Sequence, residues 1–255
     1  MLLAVDAGNT HTVFGLFRSE RLAAHWRVAT RTEITEDELG VLLHALFRGV
    51  GEDPGDVEGM IVASVVPDLN AVLAATGERY FHCAPVFVGP GVRTGIRILS
   101  ENPHEVGADR IVNAIAARER YGSPVVVVDF GTATTFDVVG PGGEYLGGVI
   151  APGVGISAEA LFARAARLHR VGIRRPERVI GRSTEQSLQS GLFHGYTALV
   201  EGLVRRIRTE LGLDAPVVAT GGLAPIFEPA LDFLEAVDPG LTLDGLRLVW
   251  RMNAR

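Results

Sequence analysis

Apolar and polar positions alternate in blocks from the first residue. Leu2 to Val5 is an unbroken apolar run, Asp6-Ala7-Gly8-Asn9-Thr10 is a small polar turn, and His11 to Phe17 is a second β-like run. That succession predicts a β-hairpin. Thr35 to Phe47 places Leu39, Leu42, Leu43, Leu46 and Phe47 at helical spacing, with Thr35 and Glu38 in capping-box relation, and predicts an amphipathic helix. Gly59 to Val65 and Pro85 to Val88 read as buried strands, with a helix over Asp68 to Tyr80 between them.

Beyond the Asn102-Pro103 turn, Asp109 to Tyr121 runs without Gly or Pro and aligns Ile111, Ala114, Ile115 and Ala117, which predicts a helix bridging the two halves. A second hairpin follows, with Val125 to Asp129 leading into Gly131-Thr132-Ala133 and a return along Thr134 to Val139. Val5-Asp6-Ala7-Gly8-Asn9 and Val128-Asp129-Phe130-Gly131-Thr132 superpose at an interval of 123 positions, close to half the chain, and imply duplication of one α/β unit. The remainder reads as a glycine-rich stretch from Gly147 to Gly153, a helix from Ile156 to about His169, a polar loop over Arg178 to Thr184 and a long helix over Glu185 to Leu211. A strand over Pro216 to Ala219 then ends in Thr220-Gly221-Gly222, before a closing helix over Ala224 to Ala236 and an apolar C-terminal segment. The expected organisation is two α/β domains, 1–115 and 116–255, packed closely around a cleft because no low-complexity linker separates them.

Composition narrows the partners. A hydrophobic content of 47% over 255 residues allows a sizeable core, and a net charge of -6 argues against non-specific nucleic-acid binding. A small-molecule partner fits better. No window reaches the roughly 18 uncharged apolar residues of a membrane span, and the N-terminus lacks a basic, then apolar, leader, so a cytoplasmic protein is expected. One cysteine, Cys83, excludes an internal disulfide and any multi-Cys metal site. All 24 Lys+Arg residues are arginine. Without lysine there is no Walker A loop and no Schiff base, so phosphate would have to be handled by backbone N–H groups, hydroxyls, arginine and a metal ion.

A strand ending in Asp before a glycine-containing turn has two readings. It is an ordinary hairpin turn, or a polyphosphate cradle in which glycine lets the backbone approach, N–H groups meet oxygens and the carboxylate holds hydrated Mg²⁺. The second copy favours the cradle. Gly107-Ala108-Asp109-Arg110 is equally double-sided: a helix-start aspartate that stabilises its own N-terminus, or a carboxylate that accepts a hydroxyl proton while Arg110 holds an anionic group. The seven histidines show no paired spacing suited to a metal, and Arg164, Arg167 and Arg170 recur as a solvated helix face would.

Along nearly its whole length the sequence resembles the type III pantothenate kinases. Four blocks carry the likeness, in the family's order: Asp6 to Thr10, Asn102 to Arg110, Asp129 to Thr134, and Gly147 to Gly153. The resemblance implies two duplicated actin-like (ribonuclease H-like) domains around an ATP cleft, and ATP-dependent phosphorylation of pantothenate, the first step of coenzyme A biosynthesis. It implies Asp109 as general base and Gly107, Ala108, Asp109, Arg110 and Thr184 at the pantothenate site. Asp6, Ala7, Gly8, Asn9, Thr10, His11, Thr12, Val13 and Thr132 would line ATP, with Mg²⁺ held near Asp6 through water and a monovalent cation, K⁺ or NH₄⁺, at Asp129. A homodimer is also implied. Tyr80, Phe81 and Phe87 are the aromatic candidates for the pocket wall. Two rivals are a sugar or acetate-type kinase of the same superfamily and a nucleotide-dependent regulatory protein.

Overall fold

The computed structural model describes residues 1–164 and 170–254. It divides into two compact units. The first comprises Met1–Ile96, Ser100–Ala116 and Leu241–Arg255, and the second Arg97–Leu99 and Ala117–Gly240.

In the first unit, β1 (Leu2–Ala7) is central, and Leu2, Leu3, Ala4 and Val5 are all buried because both faces of the sheet are covered. It pairs antiparallel with β2 (His11–Arg18), which pairs with β3 (Arg21–Ala29), and parallel with β4 (Gly59–Ser64), which pairs with β5 (Val86–Phe87). The sheet order is β3-β2-β1-β4-β5. On one face, α1 (Glu36–Gly49) and α2 (Pro67–Phe81) supply Leu39, Leu43, Phe47, Leu69, Leu73 and Phe81 to a core with Leu3, Val5, Phe14 and Val62. The capping box forms as the sequence predicts: Glu38 N–H donates to the Thr35 hydroxyl at 3.2 Å, and Thr35 N–H donates to the Glu38 carboxylate at 2.9 Å.

The second unit repeats the plan. β6 (Val125–Phe130) is central, antiparallel to β7 (Ala133–Val139) and parallel to β9 (Val217–Thr220), with β8 (Tyr145–Pro152) and β10 (Leu234–Val237) at the edges. The order β8-β7-β6-β9-β10 matches the first sheet strand for strand. Its core gathers Val126, Val128 and Phe130 with residues of α4 (Val154–Arg164) and α5 (Thr184–Leu211). Phe130, Phe227 and Phe193 stack in series, with ring centroids 5.0 and 5.4 Å apart.

α3 (Ala108–Tyr121) spans the division, which falls between Ala116 and Ala117. The chain's last helix, α7 (Leu241–Asn253), groups with the first unit. The reason is a close approach: a Cβ on Gly245 would stand 2.1 Å from the Val112 carbonyl oxygen, and only glycine lets α7 lie against α3 this way. The Thr242 hydroxyl donates to buried Asn113 across the same contact, at 2.7 Å.

Other expectations need correction. The glycine-rich stretch is largely strand β8, and Arg21 to Ala29, unassigned from the sequence, is strand β3. The closing helix over Ala224 to Ala236 is instead a single turn, α6 (Ala224–Phe227), a 3₁₀ turn over Glu228–Ala230, and β10. Pro229 lacks an N–H and cannot continue a helix interior. The helix expected to reach His169 is described to Arg164, and the rest of that expectation, residues 165–169 with Arg167, lies outside the described residues. No helix among the described residues is long and apolar enough to cross a membrane.

Candidate active site

The Asp6 to Thr10 turn stands where β1 leaves the sheet. Asp6 is in register with Val13 of β2 and Ala63 of β4, and the Gly8 N–H closes the turn on the His11 carbonyl at 3.1 Å. Asp6, Gly8 and Val13 are half-buried, Ala7 and Thr12 are buried, and Asn9, Thr10 and His11 are exposed. The turn therefore presents polar side chains to solvent from a buried strand.

The second copy has the same construction in a shorter loop. Asp129 is in register with Thr135 of β7 and Thr220 of β9, and the Gly131 N–H donates to the Ala133 carbonyl at 3.0 Å. Thr132 is exposed at the tip. Gly221, at a φ of +91°, leaves room for the Asp129 carboxylate, since a Cβ there would lie 2.4 Å from Asp129 Oδ1. Gly153 presses on the turn from β8, and its Cβ would lie 2.0 Å from the Thr132 carbonyl oxygen. Asp129 therefore sits in a cradle of two turns that tolerates no side chain at position 221.

Asp109 lies in the first turn of α3, half-buried, and its Oδ1 accepts the Arg110 N–H at 2.9 Å. Burial pushes its carboxyl above the usual Asp range, opposed by the Arg110 N–H and guanidinium charge. Val65 connects this segment to the first hairpin. Its N–H donates to the Ala7 carbonyl at 3.0 Å, while its Cγ1 is 3.6 Å from where a Gly107 Cβ would be. The strand end at Ala7 and the Gly107–Asp109 segment thus share one neighbour. Arg110 is half-buried and Ala108 buried.

Thr184 is exposed at the start of α5, where Ser183 is the cap: the Gln186 N–H donates to the Ser183 hydroxyl at 3.2 Å. Two of the aromatic candidates are committed elsewhere. Phe81 is buried in the first core, and the Tyr80 ring fills the space a Gly40 side chain would need while its hydroxyl donates to Asp37 at 2.6 Å. Phe87 is half-buried on β5.

Among the described residues, no three His, Cys, Asp or Glu side chains gather as a metal site. Single strand-end carboxylates at turns suit a cation that takes most of its ligands from nucleotide phosphates and water, so Asp6 and Asp129 fit such ions but not a dedicated protein cage.

Two sheets of identical strand order, each with a central strand whose aspartate precedes a glycine-containing turn, make a duplicated α/β architecture of the actin and sugar-kinase type. The fold recurs in a Campylobacter jejuni protein described as a Baf family transcriptional activator, with a TM-score of 0.62, 18% identity and 98% of each chain covered. It recurs also in a Sinorhizobium meliloti protein described as a 2-dehydro-3-deoxygalactonokinase, with a TM-score of 0.60, 14% identity, and 98% and 96% of the two chains covered. The family model for type III pantothenate kinase matches residues 2–206. Type III pantothenate kinases of Myxococcus xanthus (strain DK1622) and Moorella thermoacetica (strain ATCC 39073 / JCM 9320) are 54% and 51% identical over 253 residues. They align over 99% of this chain and over 99% and 100% of their own lengths. The chain belongs to the type III pantothenate kinase family.

Proposed function

We propose that Asp109 is the general base of an ATP-dependent phosphorylation of pantothenate, the reaction that membership of this family assigns to the enzyme. The observation that carries the role is the setting of Asp109: a carboxylate in the first turn of α3, aimed by the Arg110 N–H and raised in pKa by burial. Asp109 accepts the proton of the primary hydroxyl as that oxygen bonds to the γ-phosphorus, and the bond from the γ-phosphorus to the β,γ-bridging oxygen breaks to release ADP. A loose transition state asks little basicity early, so the position of the carboxylate counts for more than its strength.

Gly107, Ala108 and Arg110 line the pantothenate site around Asp109, Arg110 steering the carboxylate or amide of the substrate, with Thr184 as a further contact. Asp6 to Val13 and Thr132 bind the phosphates through backbone N–H groups, hydroxyls and the Asn9 side-chain amide. This reading rests on the repeated turn and on the absence of lysine from the sequence. Asp6, through water, would hold Mg²⁺ and Asp129 a K⁺ or NH₄⁺ ion, which together supply the positive charge that a triphosphate needs here. The working organisation is two actin-like domains in a chain that assembles as a homodimer in the cytoplasm. Sedimentation at several protein concentrations measures the oligomer.

A coupled assay that offers pantothenate, a panel of sugars and acetate as acceptors tests the reading. Turnover with pantothenate alone supports it. Turnover with a sugar or acetate instead would give the site to a different acceptor, and ATP binding without turnover would favour a regulatory protein.

A further inference from the structure

The two phosphate turns are braced by different means, and the difference singles out Thr30. In the first unit His11 pairs with Ala29, so Thr30 is the residue just beyond β3. Its hydroxyl donates to the Gly8 carbonyl at 2.6 Å, and its N–H donates to the Thr10 carbonyl at 3.0 Å. The only hydroxyl hydrogen of Thr30 is thereby used. The 2.9 Å contact between the Thr12 and Thr30 hydroxyls must then have Thr12 as donor. Thr12, Thr30 and Gly8 form a one-way chain of hydrogen bonds that ends on the turn.

In the second unit Ala133 pairs with Pro152, so Gly153 holds the place of Thr30, and Thr134 holds the place of Thr12. Gly153 has no side chain to donate. Its backbone touches the turn directly, with a Cβ position 2.0 Å from the Thr132 carbonyl oxygen and 2.8 Å from that of Gly131. The Thr134 hydroxyl, fully buried, correspondingly has no hydrogen-bond partner among the described residues. The second turn has the hydroxyl on its second strand but no acceptor for it among the described residues, so the Thr30 network has no counterpart there.

We propose that Thr30 is a positioning residue for ATP, fixing the Gly8 and Thr10 carbonyls on the β3 side so that the turn offers its N–H and hydroxyl edge to the phosphates. A carbonyl oxygen rotated towards a triphosphate would repel it, and a three-residue turn with two untied carbonyls samples such rotations. The inference rests on the reading that Asp6 to Thr10 binds ATP.

Steady-state kinetics of Thr30→Val, Thr30→Ser and Asn9→Ala test it. Valine keeps the branched shape and the backbone N–H but removes the hydroxyl. Thr30→Val is expected to raise KM for MgATP roughly 3- to 10-fold, the scale of one or two net hydrogen bonds. KM for pantothenate should not move, kcat should stay within about twofold, and Thr30→Ser should restore the MgATP value. An unchanged MgATP KM in Thr30→Val, beside a raised one in Asn9→Ala, overturns the positioning role and leaves the ATP reading intact. Unchanged values in both variants overturn the ATP reading and the role with it. A fall in kcat and melting temperature at constant KM makes Thr30 structural only, and also overturns the proposal. Should Thr30→Val fold poorly, equilibrium binding of MgADP to Thr30→Ala gives the same decision, with wild-type affinity as the contrary result.

Discussion

A side chain on residue 107 and the carboxylate of Asp109 compete for one place: a Cβ on Gly107 would stand 2.4 Å from Asp109 Oδ1. The obstructing atom is the end of a rotatable side chain, so the cheap response is for the carboxylate to turn away while the backbone stays. Gly107→Ala is therefore expected to lose roughly 10- to 100-fold in kcat, because a displacement of about 1 Å at a reacting group costs on that order. Its melting temperature should stay close to that of the parent. Parallel assays and thermal melts check this, and a stable variant with full activity would show that Asp109 does not need its present position.

The pH dependence follows from the direction of the Asp109 shift. Its folded pKa is raised by burial, so the base is lost by protonation at a higher pH than for an ordinary carboxylate near ~3.9. The acidic limb of kcat/KM, which reports the free enzyme, should lie above that value. Arg110→Met should move the limb further up, since the Arg110 charge lowers the Asp109 pKa while the backbone N–H survives the substitution. The linkage sign is also fixed. A raised folded pKa contributes stability that is present below the unfolded pKa and is lost as pH rises through the folded pKa. Asp109→Asn should therefore match or exceed the wild-type stability at neutral pH, with the difference shrinking in acid. Urea unfolding at two pH values measures it.

Much of this arrangement is legible in the sequence, for reasons that differ by element. The hairpins at Asp6 and Asp129 are readable because buried strands, polar turns and glycine coincide, and the interval between them exposes the duplication. The Thr35 to Phe47 helix is readable from its capping box and apolar spacing. β3 is not, because its residues are half-buried or exposed and include Arg21, His25 and Arg27, so no apolar run marks it. β8 hides for the opposite reason, its Gly147-Gly148 pair resembling a loop. Within the candidate site, Asp109 stands out only beside its neighbours in Gly-Ala-Asp-Arg. Thr30 and Val65 carry no local signal, since they act through strands that pair with β1 and β2 across distant sequence.

Replacing Na⁺ by K⁺ or NH₄⁺ at constant ionic strength is expected to raise activity if Asp129 holds a monovalent cation beside the phosphates. Screening alone cannot separate ions of equal charge. Asp129→Ala should lose both rate and ion selectivity, although Asp129 is half-buried at a strand end and its removal need not unfold β6. Rates in the three chloride salts are the measurement, and equal rates in all three would remove the cation from Asp129.

The most direct test of the account is the rate of phosphoryl transfer to pantothenate in Asp109→Asn, measured beside its affinity for MgATP. Asparagine has nearly the same shape and can still accept the Arg110 N–H through its amide oxygen, but it cannot take up the hydroxyl proton. The account predicts a kcat lower by about 10²- to 10⁴-fold, with MgATP binding and the folded state retained. A purified, folded Asp109→Asn enzyme that turns over pantothenate at close to the wild-type kcat would contradict it.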